Sequence, residues 1–193
     1  MFEIDEGSEG GGGGPFINWH VQESDDGSTS ARSFSLKDGA ERTDITDRFK
    51  KGVIIDIENL QTGWGQFGMP WKWNESPSRM MKRPEGDGWK KGFSVRVALG
   101  GGDAGLWQQN GTGVFMILTH LAPQLKDAEA GKLPMVKMDG VEKKSFGENK
   151  GSTAFAKLKL VKWVARPECL EENADTSIDD GGDDDDAGDD EEF

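Results

Sequence analysis

The last 26 residues, Glu168 to Phe193, hold fourteen Asp and Glu side chains and not one Lys or Arg. Such a run repels itself and has almost nothing apolar to bury, so it is expected to stay disordered. The first fourteen residues form a matching arm, with four acids, no base and five consecutive glycines from Gly10 to Gly14. Glycine loses the most conformational freedom on ordering, and a flexible arm is expected there too. What can fold is therefore the stretch 15–167, and electrically it is a different object. It carries 23 basic and 18 acidic side chains, a net of +5, although the whole chain sums to −13. The sequence pI near 4.6 thus hides a mildly basic body between acidic ends. Charge blocks say more about partners than the sum does.

A body of this length has room for one hydrophobic core. Cys169 is the only cysteine, which rules out an intramolecular disulfide and any cysteine-rich metal site and fits a reducing compartment. The sequence has no 18-residue apolar run, and its N-terminal stretch is acidic and glycine-rich, so neither a membrane span nor a secretory signal is expected.

Short apolar runs separated by glycine turns dominate the body. Phe16 to Glu23 reads as a strand, Arg32 to Lys37 as a second, and Val53 to Leu60 as a third, rich in Val and Ile between Gly52 and Gly63. Gly92 to Leu99 places Phe93, Val95, Val97 and Leu99 on one face, and Val114 to Thr119 reads as another strand. Thr43 to Phe49 suggests a helical turn. The helix is expected at Ala122 to Ala130, with Pro123 in its first turn and Gly131 beyond its end. Met135 to Met138 reads as a short strand and Thr153 to Val164 as the longest. On that last strand Ala154, Ala156, Leu158 and Leu160 would face the core, and Phe155, Lys157, Lys159, Val161 and Trp163 the outside. Many short strands and one interposed helix predict a mainly β, OB-fold-like small barrel.

Single-stranded nucleic acid asks a protein for cations along the phosphates and flat rings for the bases. The segment from Gly63 to Lys91 interleaves both. Trp64, Phe67, Trp71, Trp73 and Trp89 alternate there with Lys72, Arg79, Lys82, Arg83, Lys90 and Lys91. If residues 69–74 are extended, Trp71 and Trp73 share one face with Lys72 opposite. Arg96, Lys143, Lys144, Lys157 and Lys159 form a second basic group. Core packing competes for the indoles, and Trp19 and Trp163 are expected to be at least partly interior.

The acidic tail ends in Asp189, Asp190, Glu191, Glu192 and Phe193. A lone aromatic after a dense acidic run can enter an apolar pocket while the carboxylates meet basic residues on its rim. At these residues the chain resembles bacterial and bacteriophage single-stranded DNA-binding proteins, which typically join an OB-fold to an acidic tail with a terminal or near-terminal Phe. It looks closest to the phage type, where Phe follows Asp or Glu directly; bacterial tails more often place Pro before Phe, where this chain has Glu192. The resemblance implies a protein that coats single-stranded DNA in the cytoplasm, of a bacterial host if phage-encoded. It also implies a tail that recruits replication, recombination and repair proteins and competes with DNA for the groove. The zinc-containing phage version does not fit a single cysteine. From the residues alone, an acidic-tailed adaptor or chaperone for basic protein partners stays open, as does a homo-oligomer.

Other motifs carry less. Gly63 to Gly68 and Gly100 to Gly105 both fit G-x-G-x-x-G, yet neither opens a helix in a βαβ unit, so no dinucleotide site is expected. His20 and His120 are the only histidines and fall in no local nucleophile–base arrangement. Asp44, Asp47, Asp56 and Glu58 could in principle hold magnesium, but Asp56 and Glu58 also fit the solvent face of a strand. The expectation is a binding protein with no cofactor, not an enzyme.

Overall fold

The computed structural model describes residues 14–23, 30–148 and 151–171. Nearly all of the expected glycine-rich arm, and the acidic tail from residue 172 onward, lie outside the described residues. Among those residues the chain is mainly β. Its strands are β1 (Phe16–Glu23), β2 (Ser30–Asp38), β3 (Glu41–Asp44), β4 (Val53–Ile55) and β5 (Gln61–Gln66). They continue with β6 (Met69–Trp73), β7 (Lys90–Gly100), β8 (Asp103–Asn110), β9 (Lys132–Ser145) and β10 (Ser152–Ala165). Two α-helices accompany them, α1 (Thr46–Lys51) and α2 (Thr112–Leu121).

The strands form one curled, half-barrel sheet in the order β10-β9-β4-β7-β8-β1-β2-β3, with β5 on β7 and β6 on β5. The short β4 pairs with both β9 and β7. The chain then turns through a 3-10 segment, Ile57–Asn59, and rejoins β7 as β5. On β7 the alternation works as the sequence suggests: Phe93, Val95, Val97 and Leu99 are all buried. Trp107 on β8 stands opposite Val95 and fills the centre of the core. It meets the Phe34, Phe49 and Phe93 rings edge-on, an arrangement that the ring quadrupoles favour.

β1 and β8 run parallel and share one residue pair, Phe16 with Leu106. Beyond it they separate, and the Gln109 side chain takes the place of a strand. Its Nε2 donates to Trp19 O at 2.8 Å while its Oε1 accepts from Trp19 N at 2.9 Å. Trp19 Nε1 in turn donates to Ala154 O on β10. Gln124 does the same for β10, donating to Leu158 O and accepting from Leu160 N, each at 3.0 Å. These two amides occupy backbone groups that a sheet edge would otherwise leave open.

Several expectations are corrected. Residues 114–119, expected as a strand, lie inside α2, and the helix expected at 122–130 is only a 3-10 turn, Ala122–Leu125. Val114, Ile117 and Leu121 recur at helical spacing and are buried. Burial against β10 and β7 overrides the β preference of Val and Ile. Pro123, without an N–H, cannot extend the α-helical bonding. The strand expected to reach Leu60 stops at Ile55. Asp56 follows it and is not on a solvent face: it is 1% exposed. Residues 43–49 divide between the end of β3 and α1. On β10, Phe155 is buried together with Ala156 and Leu158, so both faces of the strand are covered there, and the Phe155 ring lies near His120 of α2. Trp19 is buried and Trp163 half-buried, as expected.

Candidate nucleic-acid interface

Residues directly opposite in an antiparallel pair share a sheet face, and register therefore sorts the aromatic residues. Trp64 pairs with Lys91, and Thr62 with the core residue Phe93, so Trp64 lies on the core side of the sheet. Trp73 pairs with Gly63, and Gly63 with Gly92. Trp73, and Trp71 two residues before it, therefore lie on the outer side, with Lys72 opposite.

On that outer side the two indoles stack, centroids 4.6 Å apart and planes 6° from parallel. Both remain half-exposed. Glycine makes the arrangement feasible. A Cβ at Gly92 would fall 2.7 Å from Trp71 Cη2, and one at Gly65 would fall 3.0 Å from the same ring. The bare backbone of β5 and β7 is thus the bed on which Trp71 lies, an instance of glycine permitting close approach. Lys90 pairs with Gly65 and is exposed beside it. Asn110, opposite Gly92, reaches across toward Gly65. Sequence reasoning did not single out Asn110; the register is what places it next to the stack.

Trp64 and Trp89 stand differently from the expectation that treated the four tryptophans alike. They are 9% and 7% exposed. Trp64 Nε1 donates to Met81 O and Trp89 Nε1 to Glu85 O, each at 3.1 Å. Thr62 Oγ1 donates to Pro77 O, and Asn74 Oδ1 accepts from Met81 N. These indoles fasten the 74–89 loop instead of offering a face to a ligand. The loop presents Arg79, Lys82 and Arg83 to solvent, and Lys91 Nζ lies 5.8 Å from the Trp64 and Phe115 ring centroids. Phe67 stands at the apex of the β5–β6 turn, 80% exposed.

The second basic group is spread out. Lys143 and Lys144 are exposed on the outer half of β9, and Lys159 is exposed on β10. Lys159 pairs with Lys137, which sequence reasoning missed because the partner strand was expected to be short and its register was unknown. Lys157 forms an ion pair with Glu142 at 3.7 Å. Arg96, on the outer face of β7, donates to Cys169 O at 3.1 Å.

That last bond belongs to the C-terminal anchor. Leu170 is buried against Ala98 and Leu133. Arg166 donates two 2.8 Å bonds to Asp56 and one of 2.7 Å to Glu58. These hydrogen bonds hold the guanidinium pKa above its already high ordinary value. Asp56 and Glu58, weighed above as magnesium ligands, thus converge on a cation that the chain itself supplies. Asp47 pairs with Lys50, and Asp44 accepts from Thr46 N. Among the described residues no cluster of three or more His, Cys, Asp or Glu side chains could hold a metal. His20 Nδ1 lies 3.3 Å from Ser35 Oγ, and His120 packs near Phe155. Residues 189–193 lie outside the described residues. Among the described residues no helix is long and apolar enough to cross a membrane.

No protein-family model, curated protein or solved structure matches the chain.

Proposed function

We propose that the chain is an OB-fold protein that coats single-stranded DNA in replication, recombination and repair, without catalysing a reaction. In an OB-fold the second and third strands, with the loops joining strands one to two and four to five, bind oligonucleotides. Taking β4 with β5 as the first strand, β7, β8, β9 and β10 become the second to fifth, and α2 the helix between the third and fourth. The pairing then runs first–second–third on one side and first–fourth–fifth on the other. The seam between third and fifth is filled by β1, through Gln109 and Trp19. On this reading the first loop carries the stacked tryptophans and the Arg79, Lys82 and Arg83 cations. The last loop is flanked by Lys143 and Lys144.

The observation that carries the reading is the half-exposed Trp71–Trp73 stack on the outer face beside β7. A stacked pair presents an aromatic platform at the surface, and each base added to such a platform contributes roughly 1–3 kcal/mol with little sequence preference. The acidic segment ending at Asp189 to Phe193 is proposed to recruit partner proteins and to compete with DNA. Titration with oligo-dT should quench tryptophan fluorescence, with log affinity falling by roughly 0.7 per phosphate for each log unit of salt. Replacing Trp71 and Trp73 together by Ala should abolish most of the quenching. Full-length protein that shows no quenching at low salt would instead be an adaptor for basic protein partners.

A further inference from the structure

We propose that the β5–β6 hairpin is also a strand-separating pin, directing the protein to junctions between single- and double-stranded DNA. The inference rests on the single-stranded DNA reading above and adds a substrate to it. Phe67 and Met69, 80% and 52% exposed, are the two most exposed large apolar side chains among the described residues. They sit at the apex of one tight turn, where Gln66 pairs with Met69 and Gly68 has φ +71°. Among the described residues, nothing is stabilised by presenting a phenyl ring to water at a hairpin tip.

The surroundings say what the tip fits. Trp71 and Trp73 share the outer face of β6, while Met69 pairs with Gln66 beyond a register shift and stands with Phe67 at the tip of the hairpin. The hairpin bears Lys72 and no acid from Gln66 to Asn74, so a phosphate backbone can approach it. It is also braced, since Trp71 is stacked on Trp73 and lies against Gly65 and Gly92. Apolar wedges such as Phe and Met enter between base steps and unstack them. The tryptophan pair, at 4.6 Å between centroids, has no room for an inserted base, so bases must add at an end of the stack. Trp71 is two residues along β6 from Met69 and four from Phe67. The distance from Phe67 to Trp71 along the strand is about 13 Å, a span of a few nucleotides. A base pair opened at the tip therefore releases its base next to a surface that can hold it.

The test uses the full-length protein, a forked duplex with oligo-dT arms, and an oligo-dT strand equal to one arm. A 2-aminopurine in the first base pair reports opening. Wild type should bind the fork more tightly than the free arm, on the order of fivefold, and brighten the junction probe at saturation. Phe67→Ser with Met69→Ser should bring the fork affinity down to that of the free arm and abolish the brightening, whatever change it makes in oligo-dT affinity itself. A wild type with no fork preference overturns the pin, as does junction brightening that survives the double substitution. Trp71→Ala with Trp73→Ala provides the separate control: unchanged oligo-dT affinity there moves the binding surface away from the stack, and a wild type that does not bind oligo-dT sinks the single-stranded DNA reading itself, whatever the fork shows.

Discussion

A methyl group at Gly65 tests whether the tryptophan stack is a binding surface or only a packed one. The Cβ of Gly65→Ala would lie 2.5 Å from Asn110 Nδ2 and 3.0 Å from Trp71 Cζ2 and Cη2. Gly65 is not among the positive-φ glycines, so alanine meets no backbone strain. Both close neighbours are the far ends of side chains, and both can move. Ordinary carbon contacts lie at about 3.5–4.0 Å, so the indole must retreat by roughly 0.5–1 Å, which forfeits a quarter to a half of its contact energy there. The cost to folding should be about 1 kcal/mol, the low end for overpacking. The cost to binding should be larger in proportion, because a tilted Trp71 carries Trp73 with it. Losing part of one stacked base, worth roughly 1–3 kcal/mol, weakens oligo-dT affinity by about 5- to 10-fold. Gly92→Ala is the contrasting case. Its Cβ would fall 2.5 Å from Gln109 O and 2.7 Å from Asn110 Cα, both backbone atoms of β8, so stability should fall more steeply. Urea unfolding and fluorescence titration, run on both variants, separate the two effects. A folded Gly65→Ala protein with wild-type affinity would refute the claim that Trp71 meets the base.

Three other outcomes follow from the same geometry. Asp56→Ala removes the buried partner of Arg166 and should cost about 3 kcal/mol in urea unfolding, the low end for breaking a buried pair because Glu58 remains. Arg166 has a raised pKa, so its contribution is complete below the unfolded-state value and is lost only as pH climbs through the still higher folded value. The Asp56→Ala deficit should therefore stay level from neutral to mildly alkaline pH, and a deficit that vanishes at pH 9 would count against the ion pair. Gln109→Glu deprives Trp19 O of its donor and sets a carboxylate against it, and should lower stability by about 1–3 kcal/mol; an unchanged urea midpoint would mean that the seam is held some other way. Ending the chain after Glu171 removes twelve acids and takes the net charge from −13 to −1. DNA affinity should rise, most at low salt, and equal affinities across a salt titration would exclude competition by the tail.

Where a single strand decided the outcome, the sequence was readable. Phe93 to Leu99 alternate on β7 in the sequence and in the fold, and Trp71 and Trp73 share a face as their spacing implies. The failures have two physical sources. One is tertiary burial. Residues 114–119 satisfy both a strand and a helix in composition, and only the packing of Val114, Ile117 and Leu121 against β10 and β7 selects the helix. The other is register, which no local pattern encodes. Trp64 and Trp73 are nine residues apart and look alike, yet they fall on opposite sides of the sheet because the first pairs with Lys91 and the second with Gly63. The Arg166 anchor joins residues 110 apart in sequence, beyond the reach of any motif.

Register also explains why the glycines of β5 and β7 matter more than their composition suggested. In the sequence they read as turn punctuation or as failed nucleotide loops. In the sheet, Gly63, Gly65 and Gly92 fall on the outer face together; a Cβ at Gly65 or Gly92 would meet the Trp71 ring, and one at Gly63 would meet the β6 backbone at Lys72 and Trp73. The same face of β7 runs on through Ser94 and Arg96 to Ala98, which Leu170 covers. Gly92 and Ala98 are six residues apart, about 20 Å along a strand. The described chain ends at Glu171, next to Leu170, so the acids that follow are attached at the far end of that face. Arg96 stands between the two ends and donates to the backbone at Cys169. If the acidic segment competes with DNA as proposed, the competition is governed by local concentration, which lengthening the chain dilutes. Inserting a neutral glycine–serine stretch after Glu171 should recover part of the affinity that truncation gains, with the charge left unchanged. A gain that depends on the number of acids alone, and not on the length of the insertion, would place the tail's effect in bulk electrostatics instead of at the groove.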